Sequence, residues 1–469
     1  MTQPDPSHAS TQGSGHASTQ GSGHAPTKSS TRRHLDALAL RDWQVEALAA
    51  WSATGRGVVE AVTGTGKTRL ALAALRMVVD RGGRALVLAP TIDLQQQWIR
   101  ELRNALPDRR IGRLGGGGDD DLFASHVVVA TPHSAASLPI DVPEATTALI
   151  VADEAHRYGA PTWAAALTEV FDLRLALTAT YERSDDGVDD VLAPYFGEVV
   201  YRYSFAQAAA DGTIAPFHVA LVGVDLSEAE RHRHDEADSR CRSLHRQLVA
   251  GLGMPREPAA LFAAVAAVVA DAERFGRDGN QARACREYLF RVRQRRDVAA
   301  NAAAKMDVAA SAAASLAGGR ALVFTDTVEQ AEAAARRMSA HDVSAETIHG
   351  GLDERRRRIR LAQFRNGALD VVVAPRVLDE GVDVPDADVA IVLAAFRTRR
   401  QMVQRLGRVL RVKDDGRAAR LVIAYAKETL EDPGRGGHED FLAEATDTAQ
   451  SVANLDGPQA VNGWLRAPG

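Results

Sequence analysis

Residues 57–68 read GVVEAVTGTGKT, an apolar run that breaks into a glycine-threonine loop and ends in a Lys-Thr pair. GVVEAV has the continuous apolar, β-branched character of a strand buried on both faces. RLALAALRMVVD, residues 69–80, then carries apolar positions at helical spacing. A strand, a glycine loop and a helix in that order let backbone N–H groups wrap phosphate oxygens at a helix N-terminus. Here Thr63, Gly64, Thr65 and Gly66 form the loop, Lys67 reaches toward the β- and γ-phosphates, and the Thr68 hydroxyl is suited to Mg2+. The general pattern G-x-x-x-x-G-K-[ST] is broken only at its first position, where Ala61 stands. Lys67 is conspicuous in a chain whose other lysines are Lys28, Lys305, Lys413 and Lys427.

Working outward, the same alternation continues. RALVLAP (84–90), HVVVATP (126–132), ALIVADE (148–154) and RLALTAT (174–180) each read as a buried parallel strand running into a loop. Between 226 and 316 the texture changes to Ala/Arg/Glu-rich helical sequence without strand signals. From 320 the alternation returns in RALVFTD, SAETIHG, LDVVVAP, VAIVLAA and RLVIAYA. The expected fold class is therefore α/β, with two doubly wound parallel sheets and helices inserted between them. The expected boundaries are 34–225 for the ATP-binding domain, 226–316 for the insertion, 317–430 for the second domain and 431–469 for a surface appendage. Residues 1–33 repeat HASTQGSG at 8–15 and 16–23, and nothing in them can bury a core, so composition predicts a disordered tail.

ALIVADE delivers Asp153 and Glu154 at a strand end, followed by Ala155 and His156. A carboxylate there can hold Mg2+ through water, and its neighbour can orient and deprotonate an attacking water. Alone, D-E-A-H reads equally as a solvated loop. With the phosphate loop upstream it becomes the second half of an ATPase site.

These residues resemble a superfamily 2 helicase, and the resemblance covers both α/β units. Ala-x-Thr-Gly-x-Gly-Lys-Thr is the form of the phosphate loop in that group. The resemblance implies that Gln44 reads the adenine edge, and that Thr91 in APTIDLQQQW and Thr131 in ATPHS contact the nucleic-acid backbone without reading sequence. It gives His156 and the LTAT segment, with Thr178 and Thr180, the coupling of hydrolysis to strand movement. QMVQRLGRVLR (401–411) places Gln404, Arg405, Arg408 and Arg411 on one expected helix, the arginines three apart on one face. The resemblance makes Arg408 and Arg411 fingers that reach across the cleft to the γ-phosphate, so that hydrolysis waits for the domains to close. Gln404 and Arg405 join the coupling set. VLDEGVDVPDADVAIVL puts Asp383 on the nucleotide side of the cleft. The family usually has threonine where Pro375 stands; Pro375 brings neither hydroxyl nor N–H, and Arg376 beside it is the expected nucleic-acid contact. The arginine run of IHGGLDERRRRIRLAQF (348–364) faces either phosphate or solvent.

The helical stretch ending in REYLFRVRQRRDVAANAAAKMD, with Arg291, Arg293, Arg295, Arg296, Asn301 and Lys305, resembles the thumb of XPB-like DNA repair helicases and their archaeal and bacterial relatives. Two features depart from that branch. Arg183-Ser184-Asp185 stands where XPB has Arg-Glu-Asp, and the first motor domain follows the tail almost directly, without a preceding damage-recognition domain. The resemblance implies a reduced relative: an ATP- and Mg2+-dependent DNA helicase or translocase, moving 3′ to 5′ in DNA repair, with room for a nuclease or repair partner protein near the insertion. Competing readings are an RNA helicase, a defence-associated duplex translocase and a non-catalytic nucleic-acid clamp.

Bulk composition is compatible with all of these. At 469 residues the chain is long enough for about three domains. A net charge of -5 gives no global basic field, so nucleic-acid binding must come from one local surface. No apolar run approaches the roughly 18 residues of a membrane span, and the N-terminus lacks a secretory pattern. Cys241 and Cys285 have no metal-ligand spacing, which suits a reduced cytoplasmic setting. His232 and His234 beside Asp235 and Glu236 lack a second ligand pair for a metal.

Overall fold

The computed structural model describes residues 38–183, 185–276, 279–375, 387–394, 407, 409–413, 415–436 and 439–467. Seven strands form the first sheet: β1 (Arg56–Ala61), β2 (Arg84–Leu88), β3 (Ile111–Leu114), β4 (Val127–Ala130), β5 (Ala148–Ala152), β6 (Leu173–Thr178) and β7 (Val199–Tyr203). All pairings are parallel, in the order β3-β4-β2-β5-β6-β1-β7. β4 and β5 are buried at every position, as strands covered by helices on both faces must be. The crossover helices Lys67–Val79 and Ile92–Ala105 follow β1 and β2. They bring the ends of β1, β2 and β5, and the loops leaving them, to one edge of the sheet.

The second sheet contains β8 (Phe217–Val224), β9 (Ala321–Thr325), β10 (Ala345–Thr347), β11 (Val371–Pro375), β12 (Val389–Val392), β13 (Ala419–Ala426) and β14 (Ser451–Asp456). It is also parallel, in the order β10-β11-β9-β12-β13-β8-β14. Its composition corrects three of the expected boundaries. Residues 217–224, expected at the end of the first domain, are an interior strand of the second sheet, paired with β13 from Phe217 to Val224. The segment 431–469 is no appendage: β14 completes the edge against β8, and the helix Ala460–Arg466 buries Val461 in the second core. The third correction concerns 303–316. The helix Ala303–Ala313 lines the second core with Met306, Val308, Ala309, Ala312 and Ala313. Its Lys305 is fully buried in an ion pair with Glu431, whose Oε2 also accepts the Ala426 N–H at 3.1 Å. The lysine expected on a thumb surface is thus an internal tie. A continuous apolar run says that a strand is buried but not which sheet receives it.

The insertion consequently lies between β8 and β9, inside the second unit. Its helices Glu228–Arg246, Pro258–Phe275 and Asn280–Ala300 close around a small core of Leu244, Leu248, Leu261, Val265 and Cys285. Part of its arginine face is paired internally: Arg295 with Asp238 at 2.5 Å, Arg240 with Glu287 at 2.6 Å, and Arg291 with Glu236 at 3.7 Å. In the helix Glu354–Arg365 the arginines 355, 356 and 358 are exposed, while Arg360 is held by Glu346 at 2.8 Å. One apolar cluster runs without interruption from the first sheet (Val59, Leu177) through Phe205, Ile214 and Phe217 into the second (Leu322, Ile423).

Candidate ATP site and nucleic-acid edge

The phosphate loop is built from its backbone outward. Gly64 and Gly66 sit at φ of +90° and +101°, where a side chain is strained. Each is also crowded: a Cβ on Gly66 would lie 2.8 Å from Gln44 Nε2. The Thr65 hydroxyl is buried and donates to the Val62 carbonyl at 2.7 Å, closing the loop on itself. Thr63 Oγ1 is buried and finds no hydrogen-bond partner among the described residues. Lys67 opens the helix and donates from Nζ to the Ala61 carbonyl at 2.7 Å. Gln44, expected at the adenine edge, is only 1% exposed. Its Nε2 donates to the Gly66 carbonyl at 2.9 Å and its Oε1 accepts the Arg41 N–H at 2.9 Å, so it braces the loop.

Asp153 and Glu154 leave β5 beside this loop. Burial pushes the Asp153 carboxyl above the usual carboxylate range, opposed by a hydrogen bond from Trp98 and by the charge of Lys67. Asp153 Oδ2 accepts the Trp98 indole N–H at 2.9 Å, and Oδ1 accepts the Glu154 N–H at 3.0 Å. Glu154 has φ +50°, a left-handed backbone in a residue with a Cβ; such strain is held in place only by its surroundings and concentrates at functional positions. Thr68 and Asp153 line one cavity and offer the hydroxyl and carboxylate oxygens that suit Mg2+.

His156, Thr178 and Thr180 form a buried chain behind Glu154. Thr178 Oγ1 donates to the Thr180 carbonyl at 2.7 Å, so its single proton is committed, and the 3.1 Å contact with His156 Nδ1 requires the imidazole to donate. Glu154 Oε2 lies 3.7 Å from the same nitrogen. Arg183 donates to the His156 carbonyl at 2.6 Å and grips Asp185 with two bonds of 2.6 Å. That guanidinium holds the Asp185 carboxyl down at about 2.

The second unit reaches this site. Arg411 lines the same cavity of about 350 Å3 as Gln44, Lys67, Thr68, Asp153 and Glu154. Arg408, Gln404, Arg405, Asp383 and Arg376 lie outside the described residues. Arg41 and Glu101 also line this cavity, and Trp98 bonds Asp153 behind it; none of the three is among the expected site residues, and the helical spacing of Leu94, Gln97, Trp98 and Glu101 was the available signal.

Thr91 and Thr131 lie farther along the same edge of the first sheet, just beyond the ends of the adjacent strands β2 and β4. Thr91 caps the helix Ile92–Ala105, accepting the Leu94 N–H at 3.3 Å, and Thr131 donates to Ser134 at 3.0 Å. A turn at Gly115, Gly116 and Gly117, all at positive φ, joins them. A Cβ on Gly115 would lie 2.9 Å from Thr131 Oγ1, and one on Gly116 3.7 Å from Ile92. That glycine turn had no counterpart in the sequence reading.

Two RecA-like sheets that bring a phosphate loop, an Asp-Glu pair and a cross-domain arginine to one cavity define a superfamily 2 helicase motor. Residues 37–183 match the family described as type III restriction enzyme, res subunit, and residues 304–413 match the helicase conserved C-terminal domain. The chain is 31% identical over 381 residues to the DNA 3′-5′ translocase XPB2 of Sulfurisphaera tokodaii, covering 81% of this chain and 80% of that protein. It is 28% identical to the DNA 3′-5′ helicase XPB of Kineococcus radiotolerans, covering 87% of this chain and 64% of the longer relative. Among solved structures, the helicase domain of Pyrococcus furiosus Hef superposes with a TM-score of 0.59 at 18% identity, over 87% of this chain and 99% of that one. This chain belongs to the XPB-like family of superfamily 2 helicases, and with it to the ATP hydrolases. No helix among the described residues is long and apolar enough to cross a membrane.

Proposed function

We propose that the chain is a cytoplasmic, ATP- and Mg2+-dependent DNA motor that moves 3′ to 5′ and serves DNA repair. The observation that carries this reading is the single cavity shared by Lys67, Asp153 and Glu154 of the first unit and Arg411 of the second. The loop Thr63–Gly66 and Lys67 bind the ATP phosphates, with Gln44 bracing the loop. Thr68 and Asp153 hold Mg2+, which neutralises phosphate charge when bound. Glu154 orients and deprotonates the attacking water. Arg411, with Arg408 as its expected companion, stabilises the charge that develops on the transferred phosphoryl group. Nucleic acid passes over Thr91, Thr131 and the Gly115–Gly117 turn, and Arg376 is assigned to the same track. His156, Thr178 and Thr180 link Glu154 to the end of the neighbouring strand β6, with Gln404 and Arg405 completing the coupling set and Asp383 facing the nucleotide.

Support for DNA as the track comes from the family and from the Sulfurisphaera and Kineococcus relatives, a DNA 3′-5′ translocase and a DNA 3′-5′ helicase. The match to a restriction-enzyme motor family favours a second reading in which the chain translocates on duplex without separating strands. A nuclease or repair protein is the partner class that fits either. The test is ATP turnover without nucleic acid and with single-stranded DNA, duplex DNA and RNA, beside strand- and triplex-displacement assays. DNA stimulation that Lys67→Ala abolishes is expected; stimulation by RNA alone would overturn the reading, and triplex displacement without strand separation would select the second one.

A further inference from the structure

Trp98 is a buried residue whose polar atom points at chemistry. It is 2% exposed on the helix Ile92–Ala105, and its Nε1–H donates to Asp153 Oδ2 at 2.9 Å. Asp153 Oδ1 accepts the Glu154 N–H at 3.0 Å. The two oxygens are thus held by donors from two different elements, which fixes the plane of the carboxylate and the lone pairs left for the cavity.

The helix is itself anchored. Gln95 is buried and its Nε2 donates to the Leu114 and Val129 carbonyls, both at 2.9 Å. Rolling the helix to withdraw the indole would break both bonds. With Trp98, the positions Leu94, Gln97 and Glu101 form one face, and these three line the cavity that holds Lys67 and Glu154. An indole N–H can only donate, and a donor to a carboxylate makes a stronger, better-directed bond than one between neutral groups. Packing alone would need the ring and not the nitrogen.

We propose that Trp98 is a positioning residue for the metal-nucleotide site: its N–H holds Asp153 in the orientation that takes Mg2+. The proposal rests on the reading of Asp153 as the metal-holding carboxylate.

The experiment measures binding of a fluorescent ADP derivative with and without Mg2+, in the absence of turnover. The proteins are the full chain, Trp98→Phe, Trp98→His and Asp153→Asn. Trp98→Phe should bind the nucleotide normally without Mg2+, yet need about tenfold more Mg2+ to reach tight binding, the scale of one hydrogen bond to a charged group. Trp98→His, which keeps an N–H donor on a smaller ring, should recover part of that loss. Trp98→Phe with the parent's Mg2+ dependence would overturn the proposal. Equal weakening with and without Mg2+ would also overturn it, since lost packing gives that result. A parent protein whose nucleotide affinity ignores Mg2+ would instead overturn the Asp153 assignment itself. Intrinsic emission supplies a readout that needs no Trp98 variant. Mg2+ added to the ADP-bound parent should change tryptophan emission, and Asp153→Asn should lose the change; an unresponsive parent counts against the proposal.

Discussion

Gly407 of the second unit packs directly on Thr63 of the phosphate loop: a Cβ on Gly407 would stand 2.5 Å from the Thr63 Cβ. The contact is reciprocal, because a Cβ on Gly64 would lie 2.7 Å from the Gly407 carbonyl. The two units therefore meet closely at the Thr63–Gly64 loop, leaving no room for a methyl group. Gly407→Ala should hold them apart by about an ångström and lower ATP turnover on the order of 10²-fold. Nucleotide binding to the first unit should persist, so equilibrium binding measured beside turnover checks the prediction.

Lys67→Ala and Glu154→Gln should fail differently. The lysine variant loses nucleotide affinity and turnover together. The glutamate variant keeps its affinity, since the role proposed for Glu154 is on the water, and loses turnover by about 10²–10⁴-fold. Single-turnover kinetics with labelled ATP separate the two; a Glu154→Gln protein that hydrolyses normally would remove the general-base role.

Arg411→Ala tests the conditional geometry. Turnover should fall by about 10³-fold or more, with little change in ATP affinity for the first unit. Arg411→Lys should not restore it, because an ammonium lacks the planar fork.

The buried Lys305–Glu431 pair makes a stability prediction. Lys305→Met leaves Glu431 buried and unpaired and should cost about 3–5 kcal/mol in denaturant unfolding. Lys305→Met with Glu431→Gln, which removes the charge and keeps an acceptor for the Ala426 N–H, should regain part of it. A single variant as stable as the parent would show that the pair does not tie the segment at 431 to the sheet.

Thr178→Val keeps the side chain's shape and removes the hydroxyl to which His156 donates. Basal hydrolysis should survive while strand or triplex displacement per ATP falls about tenfold, the size of a typical coupling term. Parallel losses in both assays would place Thr178 in the chemistry instead.

The strands and the phosphate loop were legible because their signals are local. GVVEAV followed by a glycine loop and an apolar-periodic helix describes one continuous stretch of chain, although its ladder partners, β6 and β7, lie more than a hundred residues further on. Asp153 and Glu154 were readable for the same reason, sitting where β5 ends. Gln44 lines the cavity, but its amide faces the Gly66 carbonyl, a contact between segments 22 residues apart that no local pattern encodes. Trp98 was passed over because the atom that matters meets a partner 55 residues away.

The sequence by itself determined that two parallel α/β units exist and that one carries a nucleotide loop, since propensity, periodicity and loop chemistry act over a few residues. Only the tertiary structure decided that Phe217–Val224 crosses into the second sheet, that Ser451–Asp456 completes it, and that Lys305 lies inside. Those outcomes depend on which apolar strand finds an open sheet edge and which buried charge finds its opposite. Such pairings join residues more than a hundred positions apart, and no local pattern encodes them.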